Sequence, residues 1–306
     1  MKLIIQIPCL NEEKTLPSVL NEIPRKIESI DEIEIVVIDD GSTDNTIKVA
    51  KKFGATVIKH KKNLGLGIAF KHGLEYALEN KADILVNTDA DNQYPSKYIP
   101  NLISPIMNNK ADIVIGNRMP WKVKHFSFIK RQLQKIGSTI VKKLTNTRVP
   151  DTVSGFRAYN REAMYKLNIT TRFSYVLDTI MQASQKNLKI ISIPIEINPP
   201  TRKSRLFSNI FQHIVKSALD LLRLYAVYKP FETFFILFLI FFIPGLVLGM
   251  RFLYYFFIGD GTGHIQSLIA TTILIITAVI LFVLGIICLL YTSPSPRDLS
   301  TSRMPS

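Results

Sequence analysis

Three oxygen-bearing side chains spaced two apart, Asp89, Asp91 and Gln93, sit in the stretch ILVNTDADNQYP, straight after the apolar, β-prone run Ile84–Val86. Hard oxygen ligands with no His or Cys beside them suit Mg²⁺ or Mn²⁺. Such ions are usually completed by substrate phosphates and water rather than by a full protein cage. A helix N-cap or a solvated turn gives the same letters. The site reading gains weight only if other elements bring further groups to the same place.

The elements that would do so are legible. KLIIQIP, EIEIVVID, ATVIKH, ADILVNTD and ADIVIGN are short Ile- and Val-rich runs. Helical patterns over 13–28, 43–53, 67–80 and 96–109 separate them. This alternation predicts an α/β fold: a Rossmann-like, mostly parallel sheet with helices on both faces, in which ligands bind beyond the carboxyl ends of the strands. A polar cluster follows each run: PCLNEE, DDGSTDNT, HKKNLGLG, DADNQ and GNR. One such cluster is a turn; five on one sheet edge imply a site. At the second, Asp39 and Asp40 end a buried run, where a carboxylate is suited to accept the imide hydrogen of a nucleobase, while Ser42 or Thr43 would cap the following helix. In NLGLGIAFKHG, Phe70 stands where a dinucleotide loop needs its third glycine, which disfavours NAD.

The chain has 306 residues, 47% of them hydrophobic, and a formal charge of +14. The positive charge suggests an anionic partner: a phosphorylated substrate or the cytoplasmic face of a membrane. Nucleic acid is disfavoured, since no recognition motif accompanies the charge. The two cysteines, Cys9 and Cys288, give no disulfide framework. The apolar excess lies late in the chain. Thr233–Met250 runs 18 residues without a charge and Leu268–Tyr291 runs 24, each long enough for a bilayer core of roughly 30 Å. Pro244 would kink the first. Between Arg202 and Lys229 lie six Lys or Arg and one acid, Asp220, with apolar residues at helical spacing. That pattern predicts an amphipathic helix at a membrane surface or docked on the preceding domain. The basic side precedes the first span, which predicts an integral membrane protein with two spans and a cytoplasmic catalytic domain. The expected organisation is a catalytic domain over 1–200, a basic loop and interface helix over 201–230, and a two-helix anchor over 231–291. The tail 292–306 reads as non-native sequence.

Taken in order, IPCLNEEKTL, VVIDDGSTDNT, NLGLGIAFKHG, DADNQYP, IGNRM and DTVSGFRAYNRE resemble family 2 glycosyltransferases of the GT-A fold. Within them the match is to the dolichyl-phosphate mannose synthase and polyprenyl-phosphate glycosyltransferase branch, over about residues 1–230. The resemblance implies an inverting hexosyltransferase that uses a UDP- or GDP-hexose and a polyprenyl (dolichyl or undecaprenyl) phosphate acceptor, with the membrane as partner and a homo-oligomer as one possible state. It implies that Pro8, Asn11, Glu12, Asp39, Asp40, Asp89, Ala90 and Asp91 bind the donor. Asp89, Asp91 and Gln93 would hold Mg²⁺ or Mn²⁺ on its diphosphate, and Arg118, Arg131, Arg202 and Arg205 would face donor or acceptor phosphates. Asp91, Arg118 and Asp151 would be the catalytic set. A lipid phosphate is largely ionised at neutral pH and needs no general base. A hydroxyl acceptor would need one, with Asp151 and Asp178 the candidates, unless either simply orients an arginine or caps a helix. A same-fold enzyme acting on a glycan hydroxyl and a catalytically silent scaffold are the rival readings; the intact acids and Arg118 oppose the second.

Overall fold

The computed structural model describes residues 1–119, 150–169, 175–199, 225–226 and 229–292, with side chains as far as 290. The chain divides into two compact units, Met1–Ser208 and Asn209–Ser306.

In the first unit the described strands form one sheet in the order β3-β2-β1-β4-β6-β5-β7. The strands are β1 (Lys2–Cys9), β2 (Glu32–Asp39), β3 (Thr56–Lys59), β4 (Ile84–Asn87), β5 (Ile113–Asn117), β6 (Arg157–Asn160) and β7 (Ile190–Pro194). Helices α1 (Leu16–Glu22), α2 (Thr46–Lys52), α3 (Leu66–Glu79) and α4 (Ile99–Met107) separate the first five strands. Helices α5 (Arg161–Lys166) and α6 (Tyr175–Gln185) follow β6. The central strand β1 pairs in parallel with β2 on one side and β4 on the other, so that Ile5 lies opposite both Ile35 and Val86. Every residue from Leu3 to Cys9 is buried, as expected of a strand covered on both faces. Leu16, Val19 and Leu20 of α1 and Leu102 and Ile103 of α4 pack on one face.

The expected sheet of five parallel strands is extended by two. The short strand β6 runs antiparallel between β4 and β5, and β7 lies parallel beyond β5. The pairing of Arg157 with both Asn87 and Ile115 places the start of β6 at the carboxyl ends of β4 and β5. The loop before β6, DTVSG, thereby joins the polar clusters at that edge. Two helix limits also differ from expectation. Helix α1 is shorter than the 13–28 pattern because Glu12–Thr15 are spent in the turn after β1, where Leu16 N–H bonds the Glu12 carbonyl. Helix α2 starts at Thr46. Neither Ser42 nor Thr43 caps it, and the Asp44 carboxylate receives the Thr46 N–H instead.

In the second unit, α7 (Pro230–Ile258) and α8 (Ile265–Thr292) form a helical hairpin. A left-handed Gly259 (φ 92°) ends the first helix. Helix α7 continues through Pro244. Just after it, Gly245 and Gly249 let α8 approach: a Cβ on Gly245 would lie 3.0 Å from Ile275, and one on Gly249 would lie 3.1 Å from Thr271. Small residues four apart are a common means of close packing between helices in lipid. Elsewhere the pair turns large apolar side chains outward, among them Ile240, Val247, Phe257 and Ile273. Both helices are long and apolar enough to cross a membrane. The interface helix expected over 201–230 lies almost wholly outside the described residues, and the tail 292–306 does so beyond Thr292.

Candidate functional site at the carboxyl edge of the sheet

The site begins where β1 and β2 end side by side. The Asn11 N–H donates to Ser42 Oγ (2.8 Å), and the Asn11 side-chain oxygen accepts from Thr43 N (2.8 Å). The Glu12 N–H donates to Thr46 Oγ1 (2.8 Å), while its carboxylate accepts from Thr15 Oγ1 (2.7 Å). Asn11 takes a left-handed turn (φ 55°) to reach across. These bonds join PCLNEE to DDGSTDNT, two segments some thirty residues apart in sequence.

Asp39 and Asp40, adjacent in sequence, do different work. Asp39 is fully buried. Its Oδ2 accepts from Ser42 N (3.2 Å), whereas its Oδ1 is buried with no partner among the described residues. Such an atom costs about 1–3 kcal/mol unless a ligand meets it, which fits a carboxylate held ready for an N–H donor. Asp40 is already spoken for. Its carboxylate accepts from Leu64 N (2.8 Å), Gly65 N (2.9 Å) and His60 Nδ1 (2.8 Å), so it pins the HKKNLG loop to the site. That loop presses on Gly41 (φ 83°), where a Cβ would stand 2.8 Å from the Lys62 carbonyl carbon. Asp40→Asn turns an amide NH₂ toward one of these donors and removes the charge from the others. A loss of about 2–3 kcal/mol is expected, read as a lower midpoint in urea unfolding.

At the tip of β4, Thr88 and Ala90 are buried, while Asp89, Asp91 and Gln93 keep part of their surface open. Asn92 turns the loop with a left-handed φ of 58°, and Asp91 Oδ1 accepts from Gln93 N (3.1 Å). Gly155, before β6, is required by close approach. A Cβ there would lie 2.9 Å from the Tyr175 hydroxyl and 3.1 and 3.2 Å from the Asp89 carboxylate oxygens. The Gly155 peptide is held from both sides, its N–H by Tyr94 Oη (3.2 Å) and its carbonyl by Asn87 Nδ2 (2.8 Å).

Arg118, just beyond β5, is gripped by Asp151. Its Nε lies 2.7 Å and its Nη2 2.9 Å from the two carboxylate oxygens, and the Arg118 N–H adds a third bond at 3.2 Å. Only 2% of the Asp151 side chain is exposed. The Asp151 carboxylate thus holds the Arg118 guanidinium through two of its nitrogens. Asp178, on α6, is buried and accepts from Gln182 Nε2 (3.1 Å). Pro8 is buried in β1. Arg131, Arg202 and Arg205 lie outside the described residues.

The electrostatics bear the mark of crowded negative charge. Burial, then the Asp91 carboxylate, push the Asp89 carboxyl up to about 7; Arg118 and Arg157 oppose this and Glu12 adds to it. Burial, then Glu12 and Asp39, also drive the Cys9 thiol well above its usual range. Two mutually repelling oxygen-ligand acids at one strand tip form a donor set that suits a hard divalent ion. Among the described residues no group of three His, Cys, Asp or Glu surrounds such an ion, so Asp89 and Asp91 would hold it together with the Gln93 amide and phosphates of a ligand. A proton-linked consequence follows. An unfolded Asp ionises near 3.8 and the folded Asp89 near 7, so without metal the native state holds the extra proton and stability falls as pH rises from about 4 to 7. Asp89→Asn removes that slope. Above pH 7 the metal-free variant is expected to be more stable than the parent, by on the order of 1–3 kcal/mol. Added Mn²⁺ should stabilise only the parent. Thermal unfolding across pH 5–8 checks both statements.

The sequence did not single out Arg157, fully buried on β6. Its guanidinium donates to the carbonyls of Ser154 (2.8 Å), Val176 (2.8 Å) and Thr152 (3.1 Å) and to Thr179 Oγ1 (2.7 Å). It thereby ties the DTVSG loop to α6.

Comparison with known proteins agrees with this geometry. The family model described as glycosyl transferase family 2 matches residues 4–167, more than half of the chain. A UDP-N-acetylglucosamine–dolichyl-phosphate N-acetylglucosaminyltransferase of Methanococcus voltae is 31% identical over 212 residues, 62% of this chain and 83% of that protein. A dolichyl-phosphate hexose transferase of Haloferax volcanii is 28% identical over 196 residues, 64% of this chain and 82% of that protein. The crystal structure of glucosyl-3-phosphoglycerate synthase from Mycobacterium tuberculosis, in complex with Mn²⁺, UDP and glucosyl-3-phosphoglycerate, superposes with a TM-score of 0.56 at 20% identity. It covers 72% of this chain and 79% of that one, a likeness of fold. With a GT-A sheet, polar clusters gathered at its carboxyl edge and a match over more than half its length, the chain belongs to glycosyl transferase family 2.

Proposed function

We propose that the protein transfers a hexose, with inversion, from a UDP- or GDP-sugar to polyprenyl phosphate at the cytoplasmic membrane face, aided by Mg²⁺ or Mn²⁺. The observation that carries this reading is a pattern among the relatives. The sugars in their names differ, N-acetylglucosamine in one and an unspecified hexose in the other, while the acceptor in both is dolichyl phosphate. Acceptor class is therefore the property that best transfers to this chain. Two helices of membrane-spanning length and composition suit a substrate anchored in lipid.

The residues divide the work accordingly. Asp39 Oδ1 accepts an N–H of the base, and Asn11, Glu12 and Pro8 shape the nucleoside pocket with it. Asp89, Asp91 and Gln93 hold the divalent ion, which when bound supplies positive charge to the departing diphosphate. Asp151 fixes Arg118 through Nε and Nη2, leaving Nη1 outside that pair for a phosphate oxygen. The acceptor phosphate oxygen bonds to the anomeric carbon as the bond from that carbon to the diphosphate breaks, its electron pair leaving with the diphosphate. One displacement inverts the centre. The acceptor's second pKa is about 6 by analogy with phosphorylated side chains, so no general base is needed. The engagement of Asp151 by Arg118 and the burial of Asp178 count against a hydroxyl acceptor, which would require one. Arg131, Arg202 and Arg205 remain proposed phosphate ligands on sequence grounds.

The test is transfer of radiolabel from a panel of UDP- and GDP-hexoses into an organic-extractable product, in detergent with polyprenyl phosphate and Mn²⁺ or Mg²⁺. Label from one donor is expected and names the sugar. No label from any donor overturns the reading.

A further inference from the structure

We propose that Asn198, beyond β7, is a positioning residue for the metal-holding loop: its two N–H donors clip the Asn92 and Gln93 peptides and so set the affinity of that loop for a divalent ion. The proposal rests on the assignment of Asp89, Asp91 and Gln93 as metal ligands.

The loop after β4 has few supports of its own. It turns through a left-handed Asn92, and the bond from Gln93 N to Asp91 Oδ1 is internal to it. The carbonyls of Asn92 and Gln93, successive along this loop, both take their bonds from one residue. Asn198 meets both. Its main-chain N–H donates to the Gln93 carbonyl (3.0 Å) and its Nδ2 donates to the Asn92 carbonyl (2.9 Å), across more than a hundred residues of sequence. The clip stands on a fixed base. Ile195 N–H bonds the Asn117 carbonyl (2.9 Å), next to Arg118, and Ile195 itself is buried in the core. The segment 195–198 thus ties the turn that carries Arg118 to the loop that carries Asp91 and Gln93. A third tether, Asn92 Nδ2 to Glu22 Oε1 (3.2 Å), holds the outer side of the loop to the end of α1.

Peptides flanking Asp91 and Gln93 decide where those side chains start. Two acids that repel each other, as Asp89 and Asp91 do, drift apart unless the backbone holds them. Groups that orient ligands without touching the metal are typically worth about 10–100-fold in metal affinity. The bond that a substitution can remove is the one from Nδ2. Asn198→Leu keeps the size and the main-chain N–H. Asn198→Asp replaces the donor with a carboxylate facing the Asn92 carbonyl.

The experiment is a Mn²⁺ titration of the full chain in detergent with UDP and with GDP, reading free Mn²⁺ by electron paramagnetic resonance. Metal-free nucleotide binding and thermal unfolding are measured on the same samples. Asn198→Leu is expected to raise the Mn²⁺ Kd about 10-fold or more, and Asn198→Asp at least as much, with metal-free nucleotide affinity within twofold of the parent and unfolding at the parent's temperature in the absence of metal. A Kd within twofold of the parent in both variants overturns the positioning role while leaving the metal site intact. Equal losses of metal and metal-free nucleotide binding also overturn it, since they mark general damage. A parent protein that binds no Mn²⁺ with either nucleotide overturns the metal assignment and this proposal together.

Discussion

Asp91→Asn is expected to lower sugar transfer by at least about a hundredfold while leaving the protein folded. The substitution keeps the side chain's shape and an oxygen able to accept the Gln93 N–H, the bond that Asp91 Oδ1 makes now. It removes one of two negative charges at the tip of β4. Holding a divalent ion against a diphosphate is an electrostatic task, and the charge such an ion places on a leaving group is worth several kcal/mol in the transition state. At about 1.4 kcal/mol per factor of ten in rate, losing about 3 kcal/mol of that stabilisation because the bound ion is misplaced costs two powers of ten. The fold should not suffer, because relief of repulsion with Asp89 offsets any loss of local hydrogen bonding. Initial rates at saturating Mn²⁺, beside unfolding temperatures for both proteins, test this. A rate within threefold of the parent would remove Asp91 from the metal site.

The second large effect is structural. Arg157→Leu is expected to destabilise the first unit by about 3–5 kcal/mol and to abolish transfer. Two terms compete. Burying a guanidinium is costly, so its removal returns some energy. Against that, the Ser154 carbonyl and the Thr179 hydroxyl lose the guanidinium donor inside the protein, at about 1–3 kcal/mol each, the Thr152 carbonyl loses one bond, and the Val176 carbonyl keeps only its bond from Thr179 Oγ1 (3.1 Å). Together these lost bonds outweigh one relieved charge. Activity fails because these bonds hold the loop in which Gly155 stands against the Asp89 carboxylate and Asp151 grips Arg118. Urea unfolding measures the stability term. Unchanged stability in Arg157→Leu would mean that this loop is held by its packing alone.

The two predictions rest on residues of very different legibility. Asp91 announced itself: acids straight after an Ile-Leu-Val run have few bland explanations once four other runs end the same way. Arg157 did not. It sits in RAYN, a four-residue strand with Arg and Asn at its ends and no Ile or Val, too short and too mixed to read as a strand. The whole of β6 was missed with it, and so was the antiparallel step in the sheet. The β7 run IISIP has a strand's composition, but nothing local indicates that it pairs beside β5. The network of Asn87, Tyr175 and Gly155 spans 68 to 88 residues of sequence, and the Asn198 clip spans 106. Such pairings are set by tertiary packing, and one sequence carries no trace of them. The contrast between Asp39 and Asp40 was hidden for the same reason. They stand side by side at the end of β2, but alternation sends their side chains to opposite sides: Asp39 keeps a buried oxygen with no partner among the described residues, and Asp40 holds the HKKNLG loop.

The most direct test of the central claim compares acceptors that differ only in the phosphate. Parent and Asp91→Asn proteins would be given the labelled donor and Mn²⁺ with either polyprenyl phosphate or the corresponding polyprenol. Label is expected in a mild-acid-labile lipid from polyprenyl phosphate and the parent protein only. Label entering polyprenol, or no lipid product despite tight binding of the metal and nucleotide sugar, would contradict a lipid phosphate nucleophile and turn attention to hydroxyl acceptors.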